Sequence, residues 1–174
     1  MALDPTSEKF ILHWGEMAAR WGMNRTVSQI HGLLFLAERP LHAEEIAETL
    51  VVARSNVSTS LKELQSWGLV QITHLLGDRR DYYVALQDMY EIARAIAEGR
   101  KRREIDPTVS VLRDLVLQAD AKAPPAVLKK IEEVLKFMET LSRWYDEMKK
   151  LEPGSWFQLI KMGAKVHSLL KKTA

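Results

Sequence analysis

Arg54, Ser55, Asn56, Ser58, Thr59 and Lys62 fall within nine consecutive positions. On a helix beginning near Ala53 they occupy the side opposite Val57, Leu61 and Leu64. Short hydroxyls, a carboxamide and cationic heads offer the mixture of donors and acceptors that base edges in a DNA major groove can answer. Asn56 has two roles open to it, an adenine edge or a tie to its own turn backbone, while Lys62, a turn further on, suits a phosphate. A second chemical group lies at Arg79 and Arg80. Leu69-Val70-Gln71-Ile72-Thr73-His74-Leu75 reads as a β-branched strand, Gly77-Asp78 as a turn and Tyr82-Tyr83-Val84 as an aromatic return strand, so both arginines stand at a hairpin tip. Guanidinium groups on such a tip can reach phosphates or enter a narrow minor groove, and Asp78 or Asp81 can hold one of them in place.

These groups need a scaffold, and the preceding sequence supplies one. Phe10, Trp14, Met17, Ala18 and Trp21 recur at helical spacing before Gly22, and two tryptophans on one stripe imply substantial burial. Asn24 can cap a second helix facing inward through Val27, Ile30, Leu34 and Ala37, which Pro40 stops. Leu41 is placed to pair with the hairpin as a very short strand. Ala43 to Leu50, with Ile46, Ala47 and Leu50 inward, is the first helix of a helix-turn-helix whose second helix is the polar one already described. The order helix, turn, helix, charged hairpin is that of a winged helix-turn-helix.

Beyond the hairpin the chain reads as helices. Met89, Ile92, Ala93 and Ile96 open a long one that Gly99 weakens and Asp106-Pro107 should interrupt or kink, Asp106 then capping a segment that runs to about Ala121. Val111, Leu112, Leu115 and Val116 lie in that segment. After Pro124-Pro125, Leu128, Ile131, Leu135, Met138, Tyr145 and Met148 form a stripe that calls for a helical partner. A last helix is expected after Pro153-Gly154-Ser155, with Trp156, Phe157, Ile160, Val166 and Leu170 among four lysines. The fold class is therefore mainly α: a winged helix-turn-helix with one small β-hairpin wing in residues 1–87, and C-terminal dimerisation helices in residues 88–174. Two-fold related operator half-sites would explain why a small reading head carries so much further helix: a homodimer spaces two heads about 34 Å apart.

Composition excludes several alternatives. With 174 residues and 47% hydrophobic content the chain can bury a core, and the absence of cysteine removes disulfides, thiolate metal sites and cysteine nucleophiles together. No apolar run approaches a membrane span, and Met1-Ala2-Leu3-Asp4-Pro5 has no basic patch or apolar signal core, so the cytoplasm is the expected location. The net charge of +2 is too small to argue for nucleic acid without local clustering. One such cluster, Arg100-Lys101-Arg102-Arg103, reads as a solvated or salt-bridged helix face. His13, His31, His42, His74 and His167 are dispersed, without metal-ligand spacing, and no phosphate loop or nucleophile elbow is present. Neither catalysis nor a cofactor nor a metal is expected. A winged helix serving only protein contacts is the alternative, and Arg54, Lys62, Arg79 and Arg80 argue against it.

Several strings together carry a family likeness. Trp14-Gly15-Glu16 through Gly22, Leu33-Leu34-Phe35-Leu36, Ala43 through Leu50, Arg54-Ser55-Asn56-Val57-Ser58, Leu61-Lys62-Glu63-Leu64 and Trp67-Gly68-Leu69-Val70 resemble the GbsR branch of the MarR-like regulators. That resemblance implies a dimeric transcription factor that binds double-stranded DNA, usually a repressor. It places the start of the recognition helix on Arg54, Ser55, Asn56, Ser58 and Thr59, and the wing arginines on Arg79 and Arg80. It also implies room for a small-molecule effector, choline- or betaine-like, for which Trp14, Trp21, Trp67, Trp144, Tyr145, Trp156 and Phe157 offer aromatic faces. The chain departs from the family pattern at Val51, where glycine is usual and where a β-branched residue should resist positive φ and leave an open turn. It departs again at His42 and Ala53, where serine or threonine usually caps; Ser55, Glu45 or DNA phosphates are expected to compensate. Ala53→Ser should raise stability slightly, by up to about 1 kcal/mol, and a clear fall in melting temperature would place the helix start elsewhere.

Overall fold

The structure is a computed structural model that describes residues 3–119, 123–152, Ser155 and Met162; the expected last helix, with Trp156 and Phe157, lies outside the described residues. It divides into two compact units, residues 1–96 and 97–174.

In the first unit the elements run α1 (Pro5–Arg20), α2 (Arg25–Leu36), β1 (Leu41–His42), α3 (Ala43–Leu50), α4 (Arg54–Ser66), β2 (Val70–Thr73) and β3 (Tyr82–Ala85), followed by α5 (Met89–Arg100), which crosses into the second unit. The three strands form an antiparallel sheet in the order β1-β3-β2, with Leu41 opposite Tyr83 and Val70 opposite Ala85. This is the winged helix-turn-helix anticipated from the sequence. Asp4 caps α1 through the N–H groups of Thr6 and Ser7, and Asn24 caps α2 through those of Thr26 and Val27.

Ile11 of α1, Val27, Ile30, Leu33 and Leu34 of α2, Ile46 of α3, Val57, Leu61 and Leu64 of α4, and Leu41, Leu69, Val70 and Ile92 make one apolar core. Each full burial of such a side chain contributes roughly 1.5–3 kcal/mol. The α2 helix is central and buries more than its expected stripe, adding Ser28, His31 and Gly32. By contrast, Trp21 is 65% exposed, because α1 ends at Arg20 and the chain turns away through Gly22 at φ 82°. Only Trp14 of the pair is sheltered, in a flat stack with Phe10, His31 and Phe35 whose centroids lie 5.4 to 6.5 Å apart.

In the second unit the α-helix is interrupted before Pro107, as expected, but by a π turn and not by a loop. A five-residue π turn over Lys101–Ile105 joins α5 to α6 (Asp106–Leu117). Proline lacks an N–H and its ring crowds the carbonyl one turn back; a wider turn relieves both problems without a kink loop. Asp106 is accordingly helical, at φ −61° and ψ −43°, and instead of capping it accepts from Lys101 Nζ at 2.8 Å. Ala93 is exposed rather than inward, and α6 stops at Leu117, short of Ala121. The basic run is ion-paired in part, Arg100 with Glu104 at 3.0 Å and Lys101 with Asp106 and Asp146.

The long α7 (Pro125–Met148) presents two adjacent apolar faces. Leu128, Ile131, Leu135, Met138, Tyr145 and Met148 are half-buried, while Val127, Val134, Phe137, Leu141 and Trp144, which recur in sevens, are exposed.

His31 has a thermodynamic consequence. It is 3% exposed, its Nδ1 accepts from Trp14 Nε1 at 3.2 Å, and among the described residues Nε2 has no partner. Burial lowers its pKa from 6.5 to about 4. The neutral ring is favoured in the fold, so stability is full above pH 6.5 and falls as the pH drops toward 4. The loss should reach about 2–3 kcal/mol by pH 4.5. His31→Gln retains an acceptor for Trp14 and should remove most of that acid dependence in chemical denaturation; an unchanged pH slope would show that His31 does not carry it.

Candidate nucleic-acid interface

The polar face of α4 is uncovered because its apolar face is committed. Val57, Ser60, Leu61 and Leu64 are buried, whereas Arg54, Ser55, Asn56, Ser58, Thr59 and Lys62 are all exposed. Asn56 makes no side-chain hydrogen bond among the described residues, so its carboxamide is not spent on the turn. Arg54 meets Glu44 of α3 at 2.6 Å and remains 72% exposed.

The two helix starts differ. At α3, Glu45 accepts from the His42 backbone N–H at 3.1 Å and the Glu45 N–H lies 3.4 Å from His42 Nδ1, so the missing serine is replaced by a capping box in which the histidine ring itself takes part, beside the expected Glu45. At α4 no side chain caps the helix, neither Ser55 nor Glu45. Its first N–H groups therefore meet no capping oxygen, the arrangement that favours an anion at a helix start.

Between the helices, Val51 adopts φ 53° and ψ 47°, the left-handed region, against the expectation of an open turn. The backbone closes tightly, with Val52 N–H donating to Ala47 carbonyl at 3.1 Å, and this 6→1 bond requires a left-handed residue between them. Burial of Ile46 and Val57 on either side fixes the close approach of α3 and α4, and Val51 accommodates it with a side chain left 90% in solvent.

At the wing, strands β2 and β3 flank an eight-residue tip, residues 74–81. Gly77 at φ 85° allows Asp78 N–H to reach Leu75 carbonyl at 3.1 Å. Asp78, not Asp81, is the residue that holds an arginine. It accepts from the Arg80 backbone at 2.9 Å and from Arg80 Nε at 3.0 Å, with a shorter contact to Nη2, and Tyr82 hydroxyl donates to it at 2.8 Å. Asp81 instead meets His74 at 3.2 Å. The hydrogen bonds from Arg80 and Tyr82 keep the Asp78 carboxyl well below the usual carboxylate range and raise the Arg80 guanidinium correspondingly. Arg80 also lies 5.6 Å from the Tyr82 ring centroid. Arg79 is exposed and, among the described residues, makes no ion pair.

Sequence reasoning left out the residues that support this surface: Glu44 beneath Arg54, Tyr82 beneath Arg80, and the His42 side chain between them. The one available signal was the i, i+2 and i, i+4 spacing of Asp78, Arg80 and Tyr82. No group of three or more metal-ligating side chains occurs among the described residues. Nor is any described helix long and apolar enough to cross a membrane.

A winged helix with its polar second helix free and a cationic wing beside it defines a DNA-binding protein. Residues 17–81 match the MarR family model, a likeness that agrees with the winged helix seen in this part of the chain. The chain is a DNA-binding transcriptional regulator and not an enzyme. Bacillus subtilis proteins are similar to it over most of its length. The putative HTH-type transcriptional regulator YvaV is 20% identical over 153 residues, 86% of each chain. The HTH-type transcriptional repressor GbsR is 23% identical over 158 residues, 83% of this chain and 85% of that one. A solved structure described as a transcriptional regulator shares the fold with TM-score 0.67 at 19% identity, covering 88% of this chain and 99% of the other.

Val51→Gly should relieve the left-handed strain, worth about 1–2 kcal/mol for a residue with a Cβ, against about 0.5–1 kcal/mol of added unfolded-state entropy. A rise of a few degrees in melting temperature is expected; a fall would mean that the turn is open in solution.

Proposed function

We propose that the chain binds operator DNA as a homodimer and represses transcription in the manner of the GbsR branch. In this reading α4 enters the major groove, with Arg54, Ser55, Asn56, Ser58 and Thr59 toward base edges and Lys62 toward phosphate. Arg79 and Arg80 reach the backbone or the minor groove beside it. The observation that carries the reading is the exposure of all six polar residues of α4 while its apolar side is sealed in the core. An uncapped start of α4 adds a natural place for a phosphate.

Residues 1–87 serve as the reading head and residues 88–174 as the dimerisation region. Support comes from α7, where Val127, Val134, Phe137, Leu141 and Trp144 are each at least 38% exposed along a seam of sevens. A second copy laid along that seam would cover it and bring two heads to one DNA duplex. An effector of the choline or betaine type remains part of the GbsR-branch reading, and the protein would act in the cytoplasm.

Selection of bound fragments from genomic DNA should return sites with two related half-sites about one helical turn apart. On such a site, Arg79→Ala with Arg80→Ala should weaken binding and flatten the dependence of affinity on salt, by a slope of about 1 to 2. Asn56→Ala or Ser58→Ala should instead change which operator is preferred. A wild-type salt slope in the double variant would remove the wing from the interface.

A further inference from the structure

We propose that the His42 imidazole couples the wing to the recognition helix: it links Arg80 at one ring nitrogen to Glu44, and through Glu44 to Arg54, at the other. Arg80 Nη1 lies 2.9 Å from His42 Nε2, His42 Nδ1 lies 3.0 Å from a Glu44 carboxylate oxygen, and the other Glu44 oxygen meets Arg54 at 2.6 Å. Four side chains thus form an unbroken path from the hairpin to the first residue of α4.

A guanidinium can only donate, so in the contact with Arg80 it is Nε2 of His42 that accepts. At Nδ1 the Glu44 carboxylate is the closest partner, at 3.0 Å. The Glu45 backbone N–H lies further from Nδ1, at 3.4 Å, so the stronger bond at the α3 start is the one from the His42 N–H to Glu45 at 3.1 Å. Glu45 Oε2 lies 3.4 Å from Nε2, further than Arg80, and its carboxylate is engaged by Arg39 at 2.5 Å.

The ring is held for this task. Its side chain is 12% exposed, and it packs edge-on against Tyr82 at 5.5 Å between centroids. His42 sits in β1, directly opposite Tyr82 in β3, so the sheet register sets the distance from the imidazole to the wing. Being also the residue before α3, it stands beside Glu44 at the same time. Isolated exposed ion pairs contribute little, but a sheltered imidazole between two arginines holds their separation steady, and that separation must match the spacing of groove and phosphates. His42 is in this account a positioning residue.

The inference rests on the reading of Arg54 and Arg80 as DNA contacts, and a double-mutant cycle tests the two separately. Operator affinity is measured for Arg54→Ala, Arg80→Ala and the pair, first in the wild-type background and then with His42→Phe, a ring of similar size without nitrogen. If the coupling exists, the two arginine effects are non-additive by about three- to tenfold in the first background and become additive in the second. Glu44→Gln should reduce the coupling in the same direction while the fold, followed by thermal melting, stays intact. Additive effects in the wild-type background, or equal non-additivity with His42→Phe, overturn the coupling. Single variants that leave affinity unchanged would overturn the contact reading itself.

Discussion

Burial of Val57, Leu61 and Leu64 against the central α2 helix is the interaction on which the reading head depends. A helix can turn only one side to the core, and once these three are inside, the hydroxyls, carboxamide and cations of α4 have no place except solvent. The core thereby sets which chemistry α4 offers at the surface. Any change that rotated α4 by one residue, about 100°, would bury Ser58 or Lys62 and lose both the packing and the exposed polar face together.

Two local compromises surround that packed helix. The turn before it places a β-branched residue in the left-handed region, and the helix itself begins without a cap. Each costs on the order of 1 kcal/mol, and each lies beside the exposed polar face of α4. The wing shows a different balance, since Arg80 is tied to Asp78, Tyr82 and His42 while Arg79 is exposed. One arginine is preorganised at the cost of some availability; its neighbour is exposed and makes no ion pair among the described residues.

Periodicity made most of the architecture legible. Ala43 to Leu50 matches α3, Asn24 caps α2 as its side chain suggests, and Leu41 pairs with the hairpin as a very short strand. These features depend on neighbours in the chain. Where tertiary demands outweighed local preference, reading the sequence went astray: Val51 took a conformation it resists, Trp21 was left in solvent, and Asp106 became helical within a π-turn junction and did not cap α6. In each case the competing term was the packing of whole elements, which no single residue reveals.

By itself the amino-acid order determined that the chain is helical with one hairpin, that α4 has a polar side, and that two arginines sit at the wing tip. These properties follow from spacing along a backbone with fixed periods of 3.6 and 2. Only the tertiary structure decided which carboxylate holds Arg80, that Glu44 meets Arg54, and that His42 reaches both. Arg80 and His42 are separated by 38 positions and meet only because β1 and β3 pair in one register. Such contacts depend on distances through space, which a linear pattern does not encode.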